Sequence, residues 1–180
     1  MSLKCGIFNS TAVETDANGL LRGNKAVDAA FLARMFSTFF SSGIAPGKDG
    51  TSFASAAVPD TMKVRTSPGA CHIEGYFAYD DAAETRIFTP QQTARTAARV
   101  MRLDTADGSI RVLWRECIRQ GELLISVDDN ALLPMRDGNI YDLVTCVVDI
   151  PAGAEALNDG MVTDLRGDDT LCGFASTLGS

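Results

Sequence analysis

Apolar and polar positions alternate along this chain with two different periods. From residue 27 to 40 the spacing is helical. Val27, Phe31, Met35 and Phe39 recur every four residues, and Leu32, Phe36 and Phe40 lie on the adjoining stripe. Asn24 is a candidate N-cap, Asp28 suits the positive end of the helix, and Gly43 is placed to stop it. The apolar surface of this one helix is wide. At about 25 cal/mol per Å² and roughly 150–250 Å² per aromatic ring, leaving its four phenylalanines in water costs several kcal/mol. The helix is therefore expected to lie against a sheet, a sister subunit, or both.

After Gly43 the period changes to two. Residues 62–66 alternate, Ser67-Pro68-Gly69 turns, and 70–79 alternate again. Read as one strand, 70–79 places Cys71, Ile73, Gly75 and Phe77 on one face and His72, Glu74, Tyr76 and Ala78 on the other. Residues 97–104 and 110–118 flank Ala106-Asp107-Gly108-Ser109, a hairpin signal, because Asp-Gly accepts the positive φ of a tight turn. Further strands are expected at 86–89, 123–127 and 139–150, the last rich in valine. Before the helix, residues 5–24 are punctuated by Asn-Ser, Asn-Gly and Gly-Asn pairs and read as an extended arm or irregular lead. The expected architecture is α+β: an N-terminal arm and Phe-rich helix (1–45), a mainly antiparallel β domain, sandwich or barrel-like (46–157), and an irregular tail (158–180).

Composition narrows the function classes. Among 180 residues, 46% are hydrophobic and 22% charged, ordinary for a chain that buries a core. The longest apolar runs, 29–40 and 143–150, are too short or too interrupted to span a bilayer, so membrane insertion is not expected. Residues 1–8 carry one lysine and no apolar run followed by small residues, which predicts no secretion signal. A formal charge of −7 argues against nucleic acid, whose phosphates require clustered Lys and Arg. The densest basic stretch, Arg95 to Arg119, alternates with apolar and acidic residues and reads as the outer face of strands. Five scattered cysteines (Cys5, Cys71, Cys117, Cys146, Cys172) form no CxxC pair and favour free thiols made in a reducing compartment.

Catalytic chemistry finds little support. His72 is the single histidine, and its neighbour Cys71 points to the opposite face of the same strand, so the two do not form a nucleophile–base pair. One histidine without a cysteine pair is poor zinc chemistry. Asp80-Asp81, Asp128-Asp129 and Asp168-Asp169 sit in turn-like contexts and lack the alternation of a calcium loop. They read as turn aspartates, with a paired-carboxylate cell-wall hydrolase kept as an alternative. Arg166-Gly167-Asp168 is treated as turn chemistry. Trp114, Tyr76 and Tyr79 are candidates for stacking on a sugar ring, which keeps a carbohydrate-binding module as the other alternative. Neither a catalytic group, a metal nor a cofactor is expected.

A collinear series of short motifs carries a resemblance. Gly6-Ile7-Phe8-Asn9-Ser10 resembles the "FFNS" opening of a family of phage and prophage tail proteins from Gram-positive hosts. Phe36 to Ile44 stands where that family has a Phe-rich helix ending in "nGV". Met62-Lys63-Val64 and Pro68-Gly69-Ala70-Cys71-His72-Ile73-Glu74-Gly75 resemble its following strand pair. Arg99-Val100-Met101-Arg102-Leu103-Asp104 keeps the second half of its "RiDrIVlRlD" strand, with Ala97-Ala98 replacing Ile-Asp before it. Ile110-Arg111-Val112, Leu132-Leu133-Pro134 and Tyr141-Asp142-Leu143 follow in order. Ile150-Pro151-Ala152-Gly153, Thr163-Asp164-Leu165-Arg166 and Leu171-Cys172-Gly173-Phe174 resemble "vpaGa … itDtR … lCGw". The resemblance implies a non-enzymatic virion component of the distal tail, a baseplate or fibre protein assembled in the bacterial cytoplasm. Its expected partners are copies of itself, with a trimer as first choice, other tail proteins, and a host cell-wall polysaccharide. The expected docking residues are Phe31, Met35, Phe36, Phe39 and Phe40, because closed symmetric assembly buries an apolar surface that a lone domain leaves wet.

Overall fold

The computed structural model describes residues 13–15, 17, 21–23, 29–106 and 108–178. The expected N-cap Asn24, the helix residues Val27 and Asp28, Cys5 and Asp107 lie outside the described residues. Val13–Thr15 (β1) and Leu21–Gly23 (β2) pair antiparallel, a short hairpin within the stretch read as an extended or irregular lead. The helix α1 (Ala29–Phe36) ends earlier than the pattern suggested. Ser37 Oγ donates to Arg34 O at 2.9 Å and Thr38 Oγ1 to Met35 O at 2.7 Å. These hydroxyls satisfy last-turn carbonyls and compete with continued helix, so Phe39 and Phe40 fall in the turn that follows. Gly43 is no helix stop; it opens a strand.

That strand, Gly43–Ala45 (β3), is followed by Ser55–Val58 (β4), Lys63–Thr66 (β5), Gly69–Ile73 (β6), Tyr76–Asp80 (β7) and Glu84–Ile87 (β8). Residues 70–79 are therefore not one strand. The chain reverses at Glu74-Gly75, where φ is 49° and 80°, the doubly left-handed signature of a two-residue hairpin. Reversal brings His72 opposite Phe77 and Ile73 opposite Tyr76. Side chains expected on opposite faces thus share one. Gly75 is required for a second reason: a Cβ there would sit 1.7 Å from Ala33 O, so the hairpin tip packs directly on the helix backbone.

The longer strands are Arg95–Asp104 (β9), Ser109–Gln120 (β10), Leu123–Ser126 (β11), Leu132–Leu133 (β12), Arg136–Asp137 (β13), Ile140–Ile150 (β14) and Val162–Asp164 (β15). They form one antiparallel sheet in the order β12-β11-β10-β9-β14-β13, with β15 paired to β14, curled as a half-barrel. Two three-stranded sheets, β3-β6-β7 and β4-β5-β8, complete a mainly antiparallel, β-rich fold with a single α-helix among the described residues.

Strands β9 and β14 are covered on both sides, which explains their near-continuous apolar sequences. On one face Met101, Leu103 and Leu143 pack under Ile44, Phe53, Cys71 and Ile73 of the first small sheet and its loops. Farther along that face Ala97, Val148 and Ile150 pack under Met62, Val64 and Phe88. On the other face Val100, Val144 and Val147 meet Leu124, Leu133, Leu165 and Leu171, brought over by the curl and by the segment after β15. A bulge between Val144 and Cys146 leaves Thr145 out of register.

The segment 158–180, expected to be irregular, contributes β15 and then runs along β3. Ile44 N donates to Gly173 O, Ala175 N to Ile44 O, Ser41 N to Ser176 O, and Leu178 N to Phe39 O, all at 2.8–2.9 Å. Gly43 permits this closeness, since a Cβ there would meet Ala175 N at 2.6 Å.

Candidate functional site: an exposed aromatic face

The outer side of the β3-β6-β7 sheet carries a row of rings. Phe40 stacks on His72 with centroids 5.0 Å apart and planes 19° apart. Phe77 is tilted against the other side of the imidazole, also at 5.0 Å, and Tyr79 stacks on Phe77 at 6.1 Å. Three backbone events build the row. The two-residue hairpin sets His72 beside Phe77. Strand periodicity puts Tyr79 on the same face as Phe77. The early end of α1 lets Phe40 swing over Gly43, which pairs with His72. Phe36 and Phe39 continue the surface on the helix side, and Leu178 joins through its backbone bond to Phe39.

This face is unusually wet for its chemistry. Tyr79 is 72% exposed, Phe77 56% and Phe39 54%, with Phe36 and Leu178 also classed as exposed. Contiguous apolar patches of this kind on soluble proteins mark interaction sites. Of the docking residues expected from sequence, Phe36 and Phe39 are exposed, while Phe31, Met35 and Phe40 are half-buried. Phe77 was missed. Its signal was the Glu74-Gly75 pair, which a continuous alternating pattern masks.

His72 sits in the middle of the row. Its Nδ1 is buried without a hydrogen-bond partner, and burial holds the imidazole below its ordinary pKa. The sugar-stacking candidates separate. Tyr79 presents an open ring. Tyr76 is packed against the core cluster beneath the sheet. Trp114 meets Phe88 edge-on at 86° and donates its Nε1–H to Glu84 Oε1 at 3.0 Å, so it is a wall of the interior and no platform.

Most arginines of the main sheet, with Arg166, are engaged in holding the fold. Arg99 was expected on an outer strand face and is instead 1% exposed. Its guanidinium is held by Glu84 Oε2 through Nε and Nη2 at 3.0 and 2.9 Å and by Thr145 at 3.2 Å, with the Phe53 ring 5.2 Å from Cζ. Arg102 forks onto Asp142, with two bonds of 2.8 Å. Arg95 pairs with Glu116, Arg115 with Asp129 and Arg119 with Asp149, which leaves little of a phosphate track. Arg166 is also buried. It bonds Asp164 and donates to Gly50 O and Ser52 O at 2.9 and 2.7 Å, so the Arg-Gly-Asp tripeptide is not displayed. Burial pushes the Asp164 carboxyl up, but the hydrogen bonds and charge of Arg166 outweigh it and hold the group low.

The acidic pairs behave as turn aspartates. Asp80 accepts from Ala82 N, Asp129 from Ala131 N and Asp168 from Thr170 N. Burial pushes the thiols of Cys71 and Cys172 up to about 12 and that of Cys117 up to about 11, and it also raises Cys146. Such thiols are inert packing groups at neutral pH. Among the described residues no group of three His, Cys, Asp or Glu side chains is arranged to hold a metal, and no helix is long and apolar enough to cross a membrane. Comparison of the chain with protein-family models, with curated proteins and with solved structures returned no match.

Proposed function

We propose that this chain is a structural assembly module that works by self-association and docking through its aromatic face, without a reaction of its own. The observation that carries the reading is the row Phe40–His72–Phe77–Tyr79, continued by Phe36 and Phe39 and left in water. An isolated subunit gains nothing from exposing these rings. A covering surface recovers their burial energy. The polar chemistry supports the same reading, because the carboxylates and guanidiniums described above are occupied in turns and clamps. Together with the motif series from Gly6 to Phe174, this favours a component of a phage or prophage tail baseplate or fibre, present as a homo-oligomer and contacting other tail proteins.

The test is molecular mass in solution. Wild-type protein should form a homo-oligomer, a trimer in the first instance, and Phe77→Asp with Tyr79→Asp should leave a folded monomer. A wild-type chain that stays monomeric across a concentration series, or a double variant of unchanged mass, defeats the proposal.

A second reading is favoured by one feature: the stacked, open rings of Phe77 and Tyr79 could receive a sugar of a cell-wall polysaccharide. Purified wall polysaccharide should then quench tyrosine fluorescence in wild type but not after Tyr79→Ala. Equal responses from both proteins remove this reading.

A further inference from the structure

The β3-β6-β7 sheet has two edges, and the chain treats them differently. The β3 edge is capped: Ile44 N donates to Gly173 O and Ala175 N to Ile44 O, so residues 173–175 continue the sheet there. The β7 edge is open. The two-residue turn at Glu74-Gly75 fixes which groups it leaves free. Such a hairpin makes Ile73 and Tyr76 a pair that exchanges both backbone bonds, and the pattern alternates, so Ala78 and Asp80 also bond to β6. Phe77 and Tyr79 therefore turn their N–H and C=O groups away from β6, and no backbone bond reaches these groups from the described residues. They are the same residues whose rings stand in water. Sheet edges are ordinarily shortened, charged or covered. Others in this fold are: β12 and β13 have two residues each, β8 carries Glu84 and Arg86, and at β4 the Asp159 carboxylate accepts from Ala57 N. Across Phe77-Ala78-Tyr79, β7 has no charge, proline or bulge.

We propose that β7 of one copy pairs antiparallel with β7 of a second copy about a two-fold axis at Ala78, joining their two small sheets into one. This rests on the self-association reading and names the contact, and it makes the basic unit a two-fold pair in place of the trimer. The register follows from the free groups. Centred on Ala78, Phe77 of each copy exchanges both bonds with Tyr79 of the other, which uses every outward N–H and C=O of the two residues. Centring on Phe77 or on Tyr79 instead leaves one of the two opposite Gly75 or Asp81, outside the strand. The same register sets a phenylalanine beside a tyrosine twice, a favourable cross-strand pair, and runs the ring row of one copy into that of the other. It also places Asp80 opposite Tyr76 and away from the second Asp80. The occupant follows from closure. A strand of a different protein would cover β7 and present a new open edge of its own, whereas a second β7 removes both edges at once.

Proline separates the edge from the rings. At position 79 it removes an outward N–H, spares the bonds between β6 and β7, and suits an edge strand. Serine removes the same ring and keeps the N–H. Wild type should be a dimer by sedimentation velocity. Tyr79→Pro should have a dissociation constant at least about tenfold above that of Tyr79→Ser, because the two-fold axis removes the bond twice. Far-ultraviolet circular dichroism checks that each variant is folded. Equal dissociation constants for the two variants overturn the inference while leaving self-association standing, and so does a wild-type trimer. A monomeric wild type removes the self-association reading and this inference with it. If the proline variant does not fold, cross-linking reads the register. Cys71, Cys117, Cys146 and Cys172 are buried, so a Cys5→Ser background leaves no exposed thiol among them. In it, Phe77→Cys and Tyr79→Cys chains mixed and oxidised should form a disulfide-linked dimer, since the Cα atoms of such a pair lie about 5.5 Å apart. Neither should do so alone. A mixture that fails to cross-link, or a Phe77→Cys chain that cross-links to itself, overturns the pairing.

Discussion

Beneath the β4-β5-β8 cover, Arg99 is 1% exposed and meets Glu84 and Thr145, while Trp114 is turned edge-on to reach Glu84 as well. On the outside of the β6–β7 hairpin the distribution is inverted, with Phe77 and Tyr79 mostly in solvent. The two regions differ in whether their compensation lies inside the chain. Burying a charge is tolerable when its donors are satisfied, and the Arg99 cluster supplies those acceptors from β8 and β14. The exposed rings have no internal compensation. A structural network is therefore recognised by closure within the subunit, and a docking surface by the lack of it.

The contrast breaks most visibly at Glu84. Its removal leaves a buried guanidinium facing Thr145 and Phe53 alone, and truncating one partner of a buried pair costs about 3 kcal/mol or more. Glu84→Ala should lower the urea midpoint accordingly and loosen the small cover sheet from β9. A loss below about 1 kcal/mol would mean that water replaces the carboxylate, and the region would then count as surface.

Next in size is Gly75→Ala. Both the positive φ of 80° and the 1.7 Å approach of the added carbon to Ala33 O oppose it. Left-handed strain in a non-glycine residue costs roughly 1–3 kcal/mol, and relieving the clash requires the helix to move off the hairpin. Thermal unfolding should shift downward and the stacking of Phe40 on His72 should be lost. An unchanged melting temperature would show that α1 does not rest on the hairpin tip.

The aromatic face should give the opposite response. Phe77→Ser and Tyr79→Ser, taken singly, should change monomer stability by less than about 1 kcal/mol, because surface substitutions away from packed features are close to neutral. Their effect should fall on assembly instead. A large stability loss in a monomeric background would mean that these rings serve the subunit's own core.

These two regions also mark how far the chain could be read without its structure. Periodicity of two and the apolar run of a strand covered on both faces found the four longer strands of the main sheet, β9, β10, β11 and the valine-rich β14, while the short β12, β13 and β15 carried no such pattern. Periodicity misread 70–79, since Glu74-Gly75 turns without interrupting the alternation, and Phe77 was lost from the candidate surface as a result. It also misplaced Arg99, which is 1% exposed. Nothing local distinguishes an arginine on an outer face from one whose acceptor, Glu84, arrives fifteen residues away in a separate sheet. The aliphatic row across β10, β11 and β12 was equally hidden: Ile118, Ile125 and Leu132 become neighbours only once the register of three strands is set.

The smallest expected effect concerns His72, which belongs to both patterns, being a polar group held among exposed rings. Among the described residues the elements packed around it direct no charge at it: β3 contributes Gly43, β7 contributes Phe77, and the turn after α1 contributes Phe40. Glu74 is exposed and accepts from Ser42, and Asp80 caps Ala82. Burial alone therefore lowers its pKa, and the sign follows directly. Below the ordinary histidine pKa of about 6.5 the unfolded chain binds a proton that the folded chain resists. The contribution of neutral His72 is fully present above that pH and is lost as pH falls through the lowered folded value. The carboxylates held low by their turn and arginine partners, Asp49, Asp129, Asp164 and Asp168, titrate at more acidic pH. Because the chain has one histidine, the slope of stability against pH just below 6.5 isolates this side chain. His72→Phe, which keeps a ring between Phe40 and Phe77, should flatten that slope. If the variant retains the full wild-type slope, the imidazole is free to turn its Nδ1 to water, and the row of rings is looser than a closed stack.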